Sequence, residues 1–537
     1  MTTTVTTSEQ RRHRGAARGL LTRAAITQIA CLTVASCCTI IATGLVYRAK
    51  IQRAGHIGSV TRVLNLNTIQ GADDLLPALS GLIEDEGDRR FTAERIARFV
   101  MGAGSRNLDH VGDLARLRVS ASDAKRFRRL SARAGSGGDV SLLSPTELAQ
   151  LKPRLAVRGL REFRSQLFWW LAYFVLAFHA AGLLSWWILR KVDGVLLGIA
   201  HLLAGLGFAV MVSVRDPVRD TLVFVPFAQG AIVGLAAFGA TLAIDFRRAW
   251  LRQLTFLPLL GALALSALLI LFGSGPGSSQ AKVNLGPVQP VEGIRLLLIL
   301  FLAGYFARKW QQLRSLREKS LPAALRRWNI PRIADVQPLA ASVGLGLVFF
   351  ALQGDLGPAL LFASLFLVMY AVTRARVLLV TCAFAMLIGG FWAGYELGWP
   401  RTVSGRVAMW WSPWDNGVRG GSQVAHSLWA FASGEATGTG FGLGDPERVP
   451  AVHTDMVLAA IGEQVGFVGI AVVVALFIAF FLKAFRIALR STTEYECFLA
   501  LAIAMSLALQ LCLIACGALD LLPLSGVVTP FLSYGRS

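Results

Sequence analysis

Two carboxylates, Asp455 and Glu463, lie where a polar loop runs into a long apolar stretch, in the segment PAVHTDMVLAAIGEQVGFVG from Pro450 to Gly469. Desolvating a charge at the centre of a membrane helix costs about 2.5 to 3.5 kcal/mol on insertion scales, so an ionisable group at such a boundary points first to function. What it offers there is acid or base chemistry at the membrane rim. The alternative is a helix cap at Asp455 and a satisfied interhelical hydrogen bond at Glu463. On a helix, eight residues separate the pair by about 80° of rotation and roughly 12 Å of rise. Glu463 is therefore expected to brace a cavity rather than share the work of Asp455. His453 is a candidate to orient Asp455 or a metal-bound water, with a plain surface histidine as the alternative.

The loop of about 396 to 455 that leads into this segment is long, and long structured loops tend to carry function. It holds Arg401, Arg406, Trp410, Trp411, Pro413, Trp414, Gln423 and Ser427, then the glycine run GTGFGLG from Gly438 to Gly444. No strand precedes those glycines and no Gly-Lys-Ser/Thr follows, which excludes a nucleotide-phosphate loop. They are expected to allow close turns at the membrane surface, and the tryptophans to anchor at the headgroup level. Two further acids sit near apolar runs. Glu292 opens one after a Pro-containing loop and is expected to favour a helix amino terminus. Asp355 lies in Gly-Asp-Leu-Gly-Pro, where a turn is expected.

The elements that must position these residues are membrane helices. The chain is 54% hydrophobic and only 16% charged, with a mean hydropathy of +0.56, which excludes an ordinary soluble domain. About eleven apolar runs reach or approach spanning length: 26–47, 166–189, 195–213, 222–244, 254–272, 292–308, 338–352, 356–372, 377–395, 456–482 and 496–516. The fold class is all-α and polytopic.

The net charge of +21 comes largely from basic clusters between runs. These are Arg11 to Arg23, Arg190 with Lys191, Arg247 to Arg252, Arg308 to Arg332, Arg374 with Arg376, and Lys483 to Arg490. The positive-inside rule puts all of them in the cytoplasm with the amino terminus, and Asp455 on the outer side. Contact with anionic membrane lipids is a further use for such loops. The seven cysteines lie in or beside apolar runs, so no disulfide framework or zinc site is implied.

The expected organisation is a basic cytoplasmic tail (1–25), an extra span (26–47) and a helical extracytoplasmic insert (48–165). A second extra span (166–189) and a polytopic core (195–537) follow. Helical spacing in the insert marks Leu75–Leu82, Ala93–Val100 and Leu114–Leu130. Its phrases LNLNT and DHVGDLARL weakly resemble helix-hairpin-helix modules of the competence-protein type but lack their glycine hairpin. Nucleic acid is therefore an unlikely partner, and packing or partner docking the expected role.

Four phrases in order resemble the SEDS (FtsW/RodA/SpoVE) family. LGPVQPVEGIRLLLILFLA (Leu285 to Ala303) is similar to its Gln-Pro-Ser-Glu segment, and LQGDLGPAL (Leu352 to Leu360) to its Gln-x-Asp-Leu-Gly turn. PERVPAVHTDMVLAAIGEQVGFVG (Pro446 to Gly469) is close to its Pro-Glu-x-His-Thr-Asp-Phe helix, and PLSGVVTPFLSYGRS (Pro523 to Ser537) to its Pro-Phe-x-Ser-Tyr-Gly-Gly-Ser. The resemblance covers about 195 to the end.

The resemblance implies a ten-helix core that polymerises lipid II into glycan strands alongside a class B penicillin-binding transpeptidase, in the bacterial cytoplasmic membrane. It places the essential acid at Asp455, as the base that takes a proton from the acceptor hydroxyl while polyprenyl diphosphate departs. A single base suits an inverting displacement. Arg401 and Arg406 are candidates to grip the diphosphate, with a divalent cation (Mg or Mn) a possible helper. Gln423, Ser427, His453 and Ser533 complete the expected substrate-binding set, with Glu463, Glu292, Asp355, Pro530, Tyr534 and Gly535 shaping the cavity. The sequence departs from the family at Val291, Arg295, Met456 and Arg536, none of which removes the base. It also stops where the family begins its tenth core helix. A flippase for the lipid-linked precursor and a non-catalytic scaffold for a transpeptidase are the alternative functions.

Overall fold

An apolar stretch in lipid becomes a helix because its backbone N–H and C=O groups have no water to bond and must satisfy one another. The computed structural model describes the chain except at residues 1–4, 61–62, 103–107, 134–138, 190–192, 247, 249–252, 276–281, 287–288, 316–332, 375–377, 399–400, 416–420 and 535–537. The principal helices begin with α1 (Val5–Val60), α2 (Glu86–Gly102), α3 (Pro145–Leu151), α4 (Leu160–Leu189) and α5 (Gly194–Ser213). Next come α6 (Phe224–Thr241), α7 (Leu257–Phe272), α8 (Val291–Ser315), α9 (Ile333–Gln353) and α10 (Leu356–Arg374). The last are α11 (Leu378–Glu396), α12 (Arg401–Trp411), α13 (Gly421–Gly434), α14 (Val457–Leu489) and α15 (Glu494–Ala518).

Each apolar run of the sequence falls in one of these helices to within several residues, except that the first, 26–47, lies inside the much longer α1. Among the described residues, seven helices are long and apolar enough to cross a membrane, in α1, α4, α5, α6, α9, α14 and α15, while Leu257–Phe272 and Gly357–Thr373 are shorter apolar helices. The fold is all-α and polytopic. One buried cluster joins α4, α5, α6, α14 and Leu532, and a second joins α7, α8, α9, α10 and α15.

Helix α1 packs closely on α5. A Cβ at Gly198 would lie 2.6 Å from the Cys31 Cβ, and one at Gly205 would lie 1.9 Å from the Thr39 hydroxyl. Small residues permit such backbone approach between membrane helices, where dispersion and polar contacts drive association. Lys483 of α14 pairs at 2.9 Å with Asp193, which also accepts a bond from the Val195 amide at the start of α5.

The insert has its own core of Leu66, Leu79, Ile96, Leu114, Leu130 and Leu155, among others. It is less helical than its spacing suggests. Leu114–Leu130 breaks into a 3₁₀ turn (Val111–Arg116), a strand residue pair (Arg118–Val119) and two four-residue helices. Two local signals explain the breaks: Ser120 accepts a capping bond from the Asp123 amide, and Phe127 is extended at φ −125°. Arg129 locks the unit through Asp88 at 2.8 Å and Glu147 at 2.9 Å.

The insert docks on the α5–α6 connection. The Val111 amide donates to the Arg219 carbonyl at 2.9 Å and the Val157 amide to the Val218 carbonyl at 2.8 Å. In return, Arg219 donates to the carbonyls of Lys152 and Pro153 at 3.0 and 2.8 Å. Buried Asp220 meets Lys152 at 2.8 Å and His110 at 3.2 Å.

Candidate active site

Helix α14 is interrupted at Gly466, whose φ of 66° and ψ of −170° are open essentially to glycine alone. A break orphans carbonyls on one side and amides on the other. The stretch 435–442 supplies both. The Glu435 and Ala436 carbonyls accept from the Phe467 and Val468 amides at 2.9 and 3.0 Å. The Glu463 and Gln464 carbonyls accept from the Thr439 and Gly440 amides at 2.9 and 3.0 Å. The glycine run therefore splices a helix break instead of forming plain surface turns, and its left-handed Gly438, Gly440 and Gly442 make the close approach possible. Glu463 is buried, and its Oε1 accepts from the Asp445 amide at 2.8 Å. It braces the loop that wraps the break.

Asp455 lies just ahead of α14, in a turn opened by Ala451 at φ 54°. The Thr454, Asp455 and Met456 amides converge on the Ala451 carbonyl at 3.1, 3.1 and 3.3 Å. Met456 is the cap residue of α14, and no side chain caps the helix there, which removes the capping alternative for Asp455. Burial pushes the Asp455 carboxyl above its ordinary pKa, opposed by the Arg406 charge and by a hydrogen bond from Thr454.

Asp355 occupies the turn between α9 and α10. Burial pushes it up to about 6, against the Arg406 charge and the Gly357 amide, while Glu292 and Asp455 push the same way as burial. Arg406 of α12 is thus the shared counter-charge of two acids from distant parts of the chain. Its Nη1 also donates to the Leu524 carbonyl at 2.9 Å and to the Ser525 carbonyl.

Those carbonyls belong to the non-helical segment 519–534, which is tied down along its length. Trp410 Nε1 donates to the Asp520 carbonyl at 2.9 Å, and Gln510 Nε2 to the Val528 carbonyl at 2.7 Å. Glu292 pairs with Arg295, which donates to Gln510 Oε1 at 2.7 Å. The Tyr534 amide donates to the His453 carbonyl at 2.8 Å, and the two rings stack with centroids 6.4 Å apart. Burial first, then the Arg215 charge, lowers the His453 pKa and favours the neutral ring.

The structure thus brings Asp455 and Asp355 within electrostatic reach of Arg406, and Glu292 within reach of Asp355, with His453 and Tyr534 beside the Asp455 turn. Two expected substrate contacts are otherwise engaged. Ser427 is fully buried and donates to the Ala518 carbonyl at 2.8 Å, and the Ser533 hydroxyl turns back to the Thr529 carbonyl at 2.9 Å. Both fasten backbone rather than present a hydroxyl. Arg406 likewise has one nitrogen bound to the chain, so it holds structure and tunes charge instead of offering a whole fork to phosphate. Gln423 is half-buried on α13, and Pro530 is buried in the final segment. The Arg401 side chain and Gly535 lie outside the described residues. Among the described residues no three His, Cys, Asp or Glu side chains converge.

Sequence reading missed Gln510 and Trp410 as ties of the final segment. The signal for Gln510 was available, since a lone amide inside an apolar run needs a partner.

A bundle of membrane helices, one of them broken, that holds a half-buried acid beside a shared arginine defines a polytopic membrane protein with a polar site at the end of the bundle that carries the insert. Residues 195–537 match the FtsW/RodA/SpoVE family, described as cell cycle proteins, and the chain belongs to that family. It is 29% identical to the peptidoglycan glycosyltransferase RodA of Mycobacterium leprae (strain TN) over 391 residues, covering 70% of this chain and 81% of that one. It is 30% identical to the RodA of Mycobacterium tuberculosis (strain ATCC 25618 / H37Rv) over 356 residues, covering 64% and 74%. Stage V sporulation protein E of Bacillus subtilis (strain 168) is 28% identical over 270 residues, 48% of this chain and 67% of that. In fold, the chain resembles a solved chain of a peptidoglycan synthase complex with a TM-score of 0.50, at 23% identity, covering 64% of this chain and 91% of that one.

Proposed function

We propose that this protein is a peptidoglycan glycosyltransferase that polymerises lipid II, with Asp455 as its catalytic base. The observation that carries the reading is the half-buried Asp455 carboxyl, raised in pKa, facing Arg406 at the rim of a broken membrane helix. A base of raised pKa is better matched to a sugar hydroxyl than an ordinary surface aspartate. In the step, the acceptor hydroxyl oxygen bonds to the anomeric carbon of the donor and its proton passes to Asp455. The bond from that carbon to the diphosphate oxygen breaks, and the electron pair leaves with the polyprenyl diphosphate. One face of the carbon is attacked as the other is vacated, so configuration inverts.

The basic clusters at alternate connections support a cytoplasmic amino terminus and an outer location for Asp455, where membrane-anchored sugars of a growing wall lie. A class B transpeptidase would take up the strands. The test is polymerisation of purified lipid II by the full-length protein with its transpeptidase, wild type against Asp455→Ala. Strands from the wild type and none from the folded variant support the reading. No strands from either, with precursor crossing vesicle membranes, would replace it with the flippase reading.

A further inference from the structure

Helix α1 lies outside the residues that match the family, yet its end is built into the loop that braces the catalytic helix. Arg53 Nη1 donates to the Gly444 carbonyl at 3.1 Å and to the Asp445 carboxylate at 3.3 Å, and Nη2 donates to the Leu443 carbonyl. Gly442 sits directly on α1: a Cβ there would lie 3.0 Å from the Val46 Cα and 3.1 Å from the Ala49 Cβ.

The other side of the same loop holds α14. The Asp445 amide donates to Glu463 Oε1 at 2.8 Å, the Thr439 hydroxyl to the Glu463 carbonyl at 3.0 Å, and the Gly442 amide to Gln464 Oε1 at 3.0 Å. Glu463 and Gln464 end the half-helix that begins two residues after Asp455. The loop is therefore held between Arg53 and Glu463.

The insert reaches the same turn by a second route. It docks on the α5–α6 connection, and Arg215 of that connection acts on His453, two residues before Asp455.

We propose that Arg53 is a positioning residue for glycosyl transfer, which makes the amino-terminal membrane module a working part of the polymerase. Arg53 touches neither sugar nor diphosphate. It fixes residues 443–445, which fix Glu463 and the half-helix that sets Asp455 against Arg406. The inference rests on the reading of Asp455 as the base. An arginine suits the place because its planar fork reaches several acceptors at once, whereas a lysine carries the charge on a single nitrogen.

The test uses the full-length protein with its transpeptidase. Steady-state lipid II polymerisation and hydrogen exchange at the amides of 439–445 are measured for the wild type, Arg53→Ala, Arg53→Lys and Asp455→Ala. A misplacement of about 1 Å remote from the chemistry can lower a rate about 100-fold, so Arg53→Ala is expected to lose about 10- to 100-fold in kcat, with KM moving less than about threefold. Exchange at Gly442 and Asp445 should quicken at least about tenfold. Arg53→Lys should recover part of both, because one donor and the charge remain.

Wild-type rate and exchange in Arg53→Ala, with Asp455→Ala inactive, would overturn the clamp and leave the base in place. An active Asp455→Ala would instead overturn the base, and the exchange data would still decide whether Arg53 holds the loop. Should Arg53→Ala fail to fold, Asp445→Asn takes its place, removing the ion pairs of Asp445 with Arg53 and Arg448 and leaving both Arg53–carbonyl bonds, with Arg448→Gln as the control for the second pair. A smaller loss than in Arg53→Lys is then expected, and a larger one refutes the arrangement.

Discussion

Replacing Arg406 by glutamine should move the pH dependence of polymerisation before it does anything else. Burial already raises the Asp455 pKa, and the Arg406 charge is the first influence opposing it. A nearby opposite charge holds a carboxylate below the pKa it would otherwise have. Without it, the acid limb of the rate profile should shift to higher pH. The sign follows from the role: a base works ionised, so activity rises with pH through its pKa. On the acid side of the shifted limb, each unit costs about tenfold in rate, or about 1.4 kcal/mol. Rate should return at alkaline pH. Arg406→Lys keeps the charge and should leave the limb near that of the wild type, while losing the Nη1 bonds to the Leu524 and Ser525 carbonyls. Each such charged hydrogen bond contributes about 1.5 to 3 kcal/mol, so both variants should melt earlier. Initial rates on lipid II from pH 5.5 to 9.5 in detergent, with a melting curve for each variant, read both effects. A folded Arg406→Gln whose acid limb coincides with the wild type would refute the electrostatic account.

Gly466→Ala should destabilise the protein by more than about 3 kcal/mol, since it joins a forbidden backbone region to a Cβ 2.3 Å from the Gly438 nitrogen; an unchanged melting temperature would mean that the splice is not rigid. Asp355 is pushed up to about 6 from an ordinary value of 3.8, so its contribution to stability is full below about 3.8 and lost as pH rises through about 6. Asp355→Asn should flatten the change in melting temperature between pH 5 and pH 7 and keep at least about a tenth of the rate at pH 8, because the base is elsewhere. Arg129→Met strands Asp88 in the insert core and should cost about 3 to 5 kcal/mol there. Hydrogen exchange should accelerate across Glu86–Gly102 and leave α14 unchanged.

The helices were legible because one physical rule, an apolar run of membrane length, fixes them locally. The place of Asp455 at the head of a spanning helix was legible for the same reason, since the apolar run begins just after it. Partnerships were not legible. Nothing near Arg406 in the sequence announces that it will meet Leu524 and Ser525, or that Asp355 and Asp455 will share it. Those depend on tertiary packing. The insert shows the opposite failure, since apolar residues at helical spacing in Leu114–Leu130 were satisfied by short irregular pieces around one core. Spacing records which residues turn inward, and Ser120 and Phe127 decided the backbone that carries them.

With Nη1 of Arg406 given to two carbonyls and its charge facing two acids, only part of its fork is left for a diphosphate. If Asp355 and Asp455 are both ionised, the trio with Arg406 already carries one net negative charge. A departing diphosphate would add to it. The site therefore favours an arrangement in which acceptor and leaving group occupy opposite sides: the hydroxyl close to Asp455, where a neutral His453 ring and Tyr534 line the turn, and the diphosphate away from the acids. Such separation is what an inverting displacement requires, because the nucleophile and the departing oxygen stand on opposite faces of one carbon. On that reading the tethering of 519–534 has a use, since its carbonyls hold the arginine whose charge opposes the effect of burial on Asp455.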